Sequence, residues 1–124
     1  MKYSEKVMNC LNNPKNMGEM KNPDGIGKAV GKYCGDEMVF FIKINEEGVI
    51  YDVKFQTLGC IASVASGSIV SEMIKGKSVE DAQKITKKEI IENLDGLPLV
   101  KEHCAEIAEK SMHNALKNYL NKKE

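Results

Sequence analysis

The chain has 124 residues, in which 18 basic side chains balance 18 acidic ones. This length suits a single domain whose core needs no disulfides, and the zero net charge excludes binding driven by a general attraction to nucleic acid or to an anionic membrane. No secretory signal opens the chain, and no stretch approaches the roughly 20 apolar residues of a membrane span. We therefore expect a cytoplasmic protein whose four cysteines are reduced and available for metal or sulfur chemistry.

Residues 1–24 are predicted to form a flexible N-terminal arm, followed by one domain over residues 25–124. The arm combines a short helix-compatible run around Val7 with turn-forming residues such as Asn13-Pro14. Cys10 lies one helical turn from Val7, and this spacing favours a half-buried apolar role over metal binding.

An apolar period of two predicts three antiparallel strands in the next segment. Residues 26–33 are glycine-rich and predict an edge strand, and residues 38–44 predict a second strand. A four-residue connection ending in Gly48, which suits a left-handed turn position, leads to the third strand. The third strand is expected to bury one alternating set of side chains: Val49, Tyr51, Val53 and Phe55.

The pattern then becomes helical. Residues 61–74 predict a helix that stops at Lys75-Gly76, and capping boxes that begin at Ser78 and Thr86 predict two short helices over 79–84 and 87–94. A longer helix with an apolar stripe begins near Val100. The whole pattern predicts an α+β fold, in which a small three-stranded antiparallel sheet has helices packed on one face.

Five residues that can bind metal lie where these elements begin or end. Cys34 and Asp36 fall in the turn between the first two strands, Cys60 precedes the first long helix, and His103 and Cys104 open the last one. A helix N-terminus stabilises a thiolate, so Cys60 and Cys104 are both expected to ionise readily. Thiolates combined with a carboxylate and an imidazole predict a site for a thiophilic metal or an iron-sulfur unit.

Two other interpretations of these residues stay open at this point. The cysteines are 26 and 44 positions apart, unlike the C-x-x-C pairs of structural zinc domains, so they can also be small buried apolar residues. A nucleophilic pair of His103 and Cys104 is disfavoured, because adjacent helical residues project about 100° apart.

Several short motifs stand together in a characteristic order and spacing. They are Tyr3-Ser4-Glu5-Lys6-Val7 with Asn13-Pro14, Cys34-Gly35-Asp36, Gly59-Cys60, Lys75-Gly76-Lys77-Ser78 with Asp81-Ala82-Gln83, and Leu97-Pro98-Leu99-Val100-Lys101 with His103-Cys104. In this combination the chain resembles the iron-sulfur cluster assembly scaffolds of the IscU type, also found as the N-terminal domain of NifU.

The resemblance implies a scaffold, and not an enzyme, on which a [2Fe-2S] cluster is built from iron and from persulfide sulfur supplied by a cysteine desulfurase, then passed to apo-proteins. It implies that Cys34, Cys60 and Cys104 are thiolate ligands, that Asp36 and His103 are exchangeable ligands, and that Cys104 accepts the persulfide. It also implies zinc at the same place in the isolated protein, and a monomer or weak dimer.

The resemblance further implies partner binding through Leu97, Pro98, Leu99, Val100 and Lys101, the segment that an Hsp70-type chaperone and its J-type partner recognise in the family. The family usually has proline where this chain has Leu99, and its loss weakens the extended conformation that a peptide-binding groove favours. Ile61, after Cys60, is also bulkier than the usual glycine or alanine.

Two alternative functions accompany the scaffold interpretation. A zinc-dependent sulfurtransferase of the SufU type resembles the chain around its second and third cysteines, Cys34 and Cys60, but usually lacks a histidine before the last one. A structural or adaptor domain would bind zinc only to hold its fold together, and would unfold when the metal is removed.

Overall fold

The computed structural model describes residues 2–32 and 35–123. The elements in chain order are α1 (Glu5–Asn12), β1 (Gly25–Val30), β2 (Glu37–Ile44), β3 (Ile50–Leu58), α2 (Ile61–Ile74), α3 (Val79–Gln83), α4 (Lys87–Asn93), a single 3-10 turn (Leu99–Lys101) and α5 (Glu102–Lys123). The strands form one antiparallel sheet in the order β1-β2-β3, and the helices cover one of its faces. The predicted α+β class is confirmed.

The covered face of the sheet supplies much of the hydrophobic core. Alternate residues of β2 point inward and are buried, as the period of two predicted. Phe40 of β2 lies opposite Phe55 of β3, and their stacked rings have centroids 5.8 Å apart. Aromatic pairs of this kind stabilise a sheet beyond the area that they bury.

The prediction of which β3 side chains are buried is wrong at the start of the strand. Lys43 pairs with Asp52 whereas Ile44 pairs with Ile50, so Tyr51 is an extra residue in the ladder. Such a bulge reverses the alternation of side chains along the strand. Ile50 is therefore buried, while Tyr51 is 52% exposed.

The edge strand is shorter than predicted. β1 ends at Val30, and the Gly31 amide then donates a hydrogen bond to the Asp36 carbonyl, which closes the connection to β2. Gly35 has a positive φ of 72°, the conformation that a tight bend before Asp36 requires. Tyr33 and Cys34 lie outside the described residues.

The helix boundaries agree closely with the prediction because their caps are local. α2 spans residues 61–74 as expected, and the hydroxyls of Ser78 and Thr86 accept hydrogen bonds from the amides of Asp81 and Glu89 in the first turns of α3 and α4. None of the helices formed by the described residues has both the length and the apolar character needed to cross a bilayer.

The segment before β1 packs against the rest of the chain. The Ser4 hydroxyl caps α1 and also donates to the carbonyl of Leu94, 2.5 Å away. Val7 is fully buried, and Cys10 is buried beside it with 9% exposure. The role of Cys10 as a buried apolar residue is confirmed, while the flexibility of residues 1–24 stays a prediction.

Helix α5 lies directly on β1, and this contact fixes the helix that carries His103 and Cys104. A Cβ atom on Gly27 would overlap the backbone of Ser111 and Ala115, and one on Gly25 would overlap the Ala115 carbonyl. Two glycines in β1 thus allow the helix backbone to approach the strand more closely than any side chain would permit.

Gly27→Ala is expected to lower the free energy of unfolding by about 1–3 kcal/mol, because the added methyl forces α5 away from β1. Lys28→Ala, at the next and exposed position, is the control and should change it by less than about 0.5 kcal/mol. Urea unfolding of the metal-free proteins measures both. Equal stability of the two variants would contradict the close packing.

Candidate metal centre

The predicted ligands converge at one end of the sheet. The β1–β2 connection, the end of β3 and the first turns of α2 and α5 meet there, and they bring Asp36, Cys60, His103 and Cys104 into one group. Cys34, the fifth predicted ligand, lies outside the described residues. Cys60 and Cys104 therefore lie side by side although 44 positions separate them in the chain, and their role as ligands stays a prediction.

The Cys104 sulfur lies at the middle of this group. It is 3.7 Å from the Cys60 sulfur, 3.8 Å from Asp36 Oδ2 and 3.6 Å from His103 Nε2. A tetrahedral zinc ion with Zn–S bonds of about 2.3 Å would hold two sulfurs about 3.8 Å apart. The two thiols therefore already have the separation of ligands that share one ion.

The remaining donors add a hard oxygen and an imidazole nitrogen. One ligand atom each from Asp36, His103 and Cys104 lies within 4.8 Å of the other two, and Cys60 adjoins this set through Cys104. Sulfur and nitrogen donors suit zinc and iron, whereas a carboxylate oxygen binds these ions less selectively. The donor set fits a thiophilic metal or an iron-sulfur unit.

Cys60 is the more acidic of the two thiols. It is the N-cap residue of α2. Burial raises the pKa of Cys60, but other effects outweigh burial and bring this pKa below the ordinary value for a thiol. These effects are hydrogen bonds from the amides of Ser63 and Ala62, a hydrogen bond with Cys104 and the positive charge of Lys101. The expected effect of a helix N-terminus on a thiol is confirmed here.

Cys104 behaves in the opposite way. It is fully buried in the first turn of α5, and this burial raises the pKa of Cys104 to about 12. A hydrogen bond with Ser63 lowers this pKa, whereas the negative charges of Cys60 and Asp36 raise it further. The expectation that Cys104 ionises readily is wrong, because loss of solvent outweighs the helix terminus.

The expectation that His103 and Cys104 point apart is also wrong. Their Nε2 and Sγ atoms lie 3.6 Å apart, so the two adjacent side chains contact each other. In the tautomer with an unprotonated Nε2, His103 can accept the proton of the Cys104 thiol.

Sequence reasoning missed Ser63, the third residue of α2. Its hydroxyl donates a 2.9 Å hydrogen bond to Asp36 Oδ2, and its side chain is 1% exposed. A Cβ atom on Gly59 would lie 2.7 Å from the Ser63 hydroxyl and 3.1 Å from Asp36 Cγ, so the glycine makes room for this contact. The only available signal was a polar residue one helical turn from Cys60.

The predicted partner segment adjoins the site. Leu99 is 81% exposed and Val100 is 64% exposed, while Leu97 and Pro98 are half-buried. The negative charge of Cys60 raises the pKa of Lys101, so Lys101 also belongs to the electrostatic surroundings of the thiols. The partner role of residues 97–101 stays a prediction.

Fold and site together define a small α+β domain that presents thiols, a carboxylate and an imidazole at one end of its sheet. The family described as "NifU-like N terminal domain" matches residues 2–124. The chain belongs to this family.

Curated relatives of the chain carry the name iron-sulfur cluster assembly scaffold protein IscU. The chain is 44% identical to the one from Escherichia coli K12, with 100% of this chain and 98% of the relative covered. It is 43% identical to the one from Aquifex aeolicus, covering 97% and 77%, and 42% identical to IscU 1 from Archaeoglobus fulgidus, covering 97% and 78%.

Solved structures share the fold. A putative iron-sulfur cluster assembly scaffold protein for the SUF system, from Fervidobacterium islandicum AW-1, superposes with a TM-score of 0.76 at 27% identity and covers 92% of this chain and 96% of its own. A NifU-like N-terminal protein from Brucella abortus gives 0.75 at 15% identity, covering 96% and 94%. The second shows the likeness of fold alone.

In the metal-free protein, Cys60 is expected to react with iodoacetamide before Cys104, since the thiolate is the reacting form and the two pKa values are shifted in opposite directions. Peptide mass spectrometry after short exposures at pH 8 measures the order. Cys10 is the control, because burial also raises its pKa, and the difference should vanish in denaturant. Faster labelling of Cys104 would contradict the assignment.

Proposed function

We propose that this protein is a scaffold that assembles an iron-sulfur cluster and delivers it to other proteins, without turnover of a substrate. The observation that carries the proposal is the contact of Cys104 with Cys60, Asp36 and His103 at distances of 3.6–3.8 Å. Membership of the NifU-like family and the names of the relatives from three organisms support it.

The cargo we propose is a [2Fe-2S] cluster. Cys60 and Cys104, with Cys34 as predicted from the sequence, would supply thiolates to iron, the donors that such clusters use. Asp36 and His103 would supply exchangeable oxygen and nitrogen donors. In the isolated protein the same residues suit a zinc ion, which takes four ligands of these types.

Sulfur would enter at Cys104 from the persulfide of a cysteine desulfurase. The Cys104 thiolate attacks the outer sulfur, a new S–S bond forms at Cys104, the S–S bond of the donor breaks, and the donor cysteine leaves as a thiolate. Because burial raises the pKa of Cys104 to about 12, its proton must first move, and His103 Nε2 is the nitrogen within reach, 3.6 Å from the sulfur. Two electrons from a reductant are then needed to give sulfide.

The cluster would leave the site on the side where Asp36 and His103 supply exchangeable ligands. Recipients would be apo forms of iron-sulfur proteins, and the exposed side chains of Leu99 and Val100 are available to a chaperone groove that binds extended apolar peptides. Leu99 in place of proline weakens that interaction. We expect a monomer or a weak dimer.

A structural zinc domain and a zinc-dependent sulfurtransferase remain the competing functions. The scaffold protein for the SUF system from Fervidobacterium islandicum, at 27% identity, shares the fold of this chain. Exchange of metal distinguishes these two functions from a scaffold. A structural site keeps zinc in the presence of iron and sulfide and unfolds on chelation. A sulfurtransferase accepts sulfur but stores no cluster, whereas a scaffold replaces zinc with a cluster.

Cys60→Ala and Cys104→Ala are each expected to abolish formation of a stable cluster, because each removes a thiolate that holds iron. The proteins are mixed anaerobically with desulfurase, cysteine and ferrous iron, and visible absorption is followed together with iron and sulfide counts. Cys10→Ala, a buried cysteine on α1, is the matched control and should load normally. Normal loading of both site variants would rule out the proposed ligands.

Asp36→Ala is expected to lengthen the lifetime of the assembled cluster several-fold, because it removes the hard oxygen ligand that exchanges most easily beside soft sulfurs. The decay of visible absorption in the presence of a chelator measures it. Asp81→Ala, on the exposed surface of α3, serves as the control. A shorter lifetime would contradict the role given to Asp36.

A further inference from the structure

Helix α2 carries four fully buried serines, and they have different partners. Ser68 and Ser71 accept hydrogen bonds from the segment before β1, at Lys15 N and Asn16 Nδ2. The Ser66 hydroxyl has no partner among the described residues. Ser63 alone of the four bonds to a side chain of the candidate metal centre.

Ser63 contacts the carboxylate at the oxygen that lies nearest the Cys104 sulfur. Its hydroxyl lies 2.9 Å from Asp36 Oδ2, and this same oxygen lies 3.8 Å from the Cys104 sulfur. Among the described residues, no other hydroxyl or amide donates to this carboxylate. A carboxylate oxygen has two lone pairs, so Oδ2 can accept from Ser63 and still bind a cation, and Oδ1 stays available.

Asp36 needs such a partner because its backbone does not fix its side chain. It lies in the connection between β1 and β2, one residue after the positive-φ Gly35, and its side chain is only half-buried. Ser63, in contrast, stands on a buried helix. Gly59, whose missing Cβ leaves space between the two side chains, allows them to meet.

We propose that Ser63 is a positioning residue that holds the Asp36 carboxylate in place as the oxygen ligand of the site. The inference rests on the metal site of the proposed function and deepens it. A hydrogen bond that orients a ligand commonly changes metal affinity 10- to 100-fold, since the ligand otherwise loses rotational freedom when the ion binds.

The test is the zinc affinity of the full chain, measured by competition with a chromophoric chelator. Ser63→Ala should weaken zinc binding by about 10-fold. Ser66→Ala removes the same atom from the same helix but touches no ligand, so its affinity should equal that of the wild type. Circular dichroism and thermal unfolding of the metal-free variants check that both fold normally.

A double-mutant cycle separates positioning from a general structural effect. Asp36→Ala removes one of the donors to zinc, and Ser63→Ala added to it should cause a much smaller loss than in the wild-type background, because the hydroxyl then has no carboxylate to hold and keeps only its contact with Cys104. Wild-type affinity of Ser63→Ala, or an equal loss in both backgrounds, would overturn the inference.

The outcomes also distinguish this inference from the proposed function. Suppose that the double-mutant cycle shows coupling between Ser63 and Asp36 in zinc binding, but that the wild-type protein builds no cluster from iron and sulfide. This result would overturn the scaffold function and leave the role of Ser63 intact. A protein that builds the cluster while Ser63→Ala binds zinc like the wild type would overturn only the role of Ser63.

Discussion

The contact of α5 with β1 is the constraint from which the rest of the structure follows. Gly25 and Gly27 have no side chains to separate the two backbones, and the helix therefore lies in one position relative to the sheet. This position buries Cys104 beside Cys60, although the two residues are 44 positions apart. The chemistry at one end of the sheet thus depends on a packing contact along its edge strand.

Two thiols 3.7 Å apart would repel each other if both were ionised in a place largely removed from water. The structure avoids this by making them different: Cys60 caps α2 and has a lowered pKa, while burial raises the pKa of Cys104. A cation removes the conflict, because its positive charge stabilises both thiolates at once. The protonation of the two thiols in the metal-free site is therefore expected to change when a cation binds.

Local features were predictable from the sequence and tertiary ones were not. The starts of α3 and α4 follow from side-chain caps within a few residues of each boundary, and the grouping of Asp36, Cys60, His103 and Cys104 followed from their places at element ends. The bulge at Tyr51 depends on how β3 pairs with β2. The raised pKa of Cys104 and the Ser63–Asp36 bond depend on which surfaces pack together, and no spacing rule contains that information.

The mixture of donors argues for exchange over permanent binding. A structural zinc site is usually closed by four sulfur and nitrogen ligands, whereas here a half-buried aspartate lies beside the sulfur and nitrogen donors. An oxygen donor binds a thiophilic ion less strongly than sulfur does, so the weakest bond to a bound ion would lie on the Asp36 side of the site. Ser63 limits how far that carboxylate can move. In the proposed scaffold, the sulfur side of the site, fixed by two helices, would hold an ion strongly, and cargo would enter and leave on the weaker oxygen side.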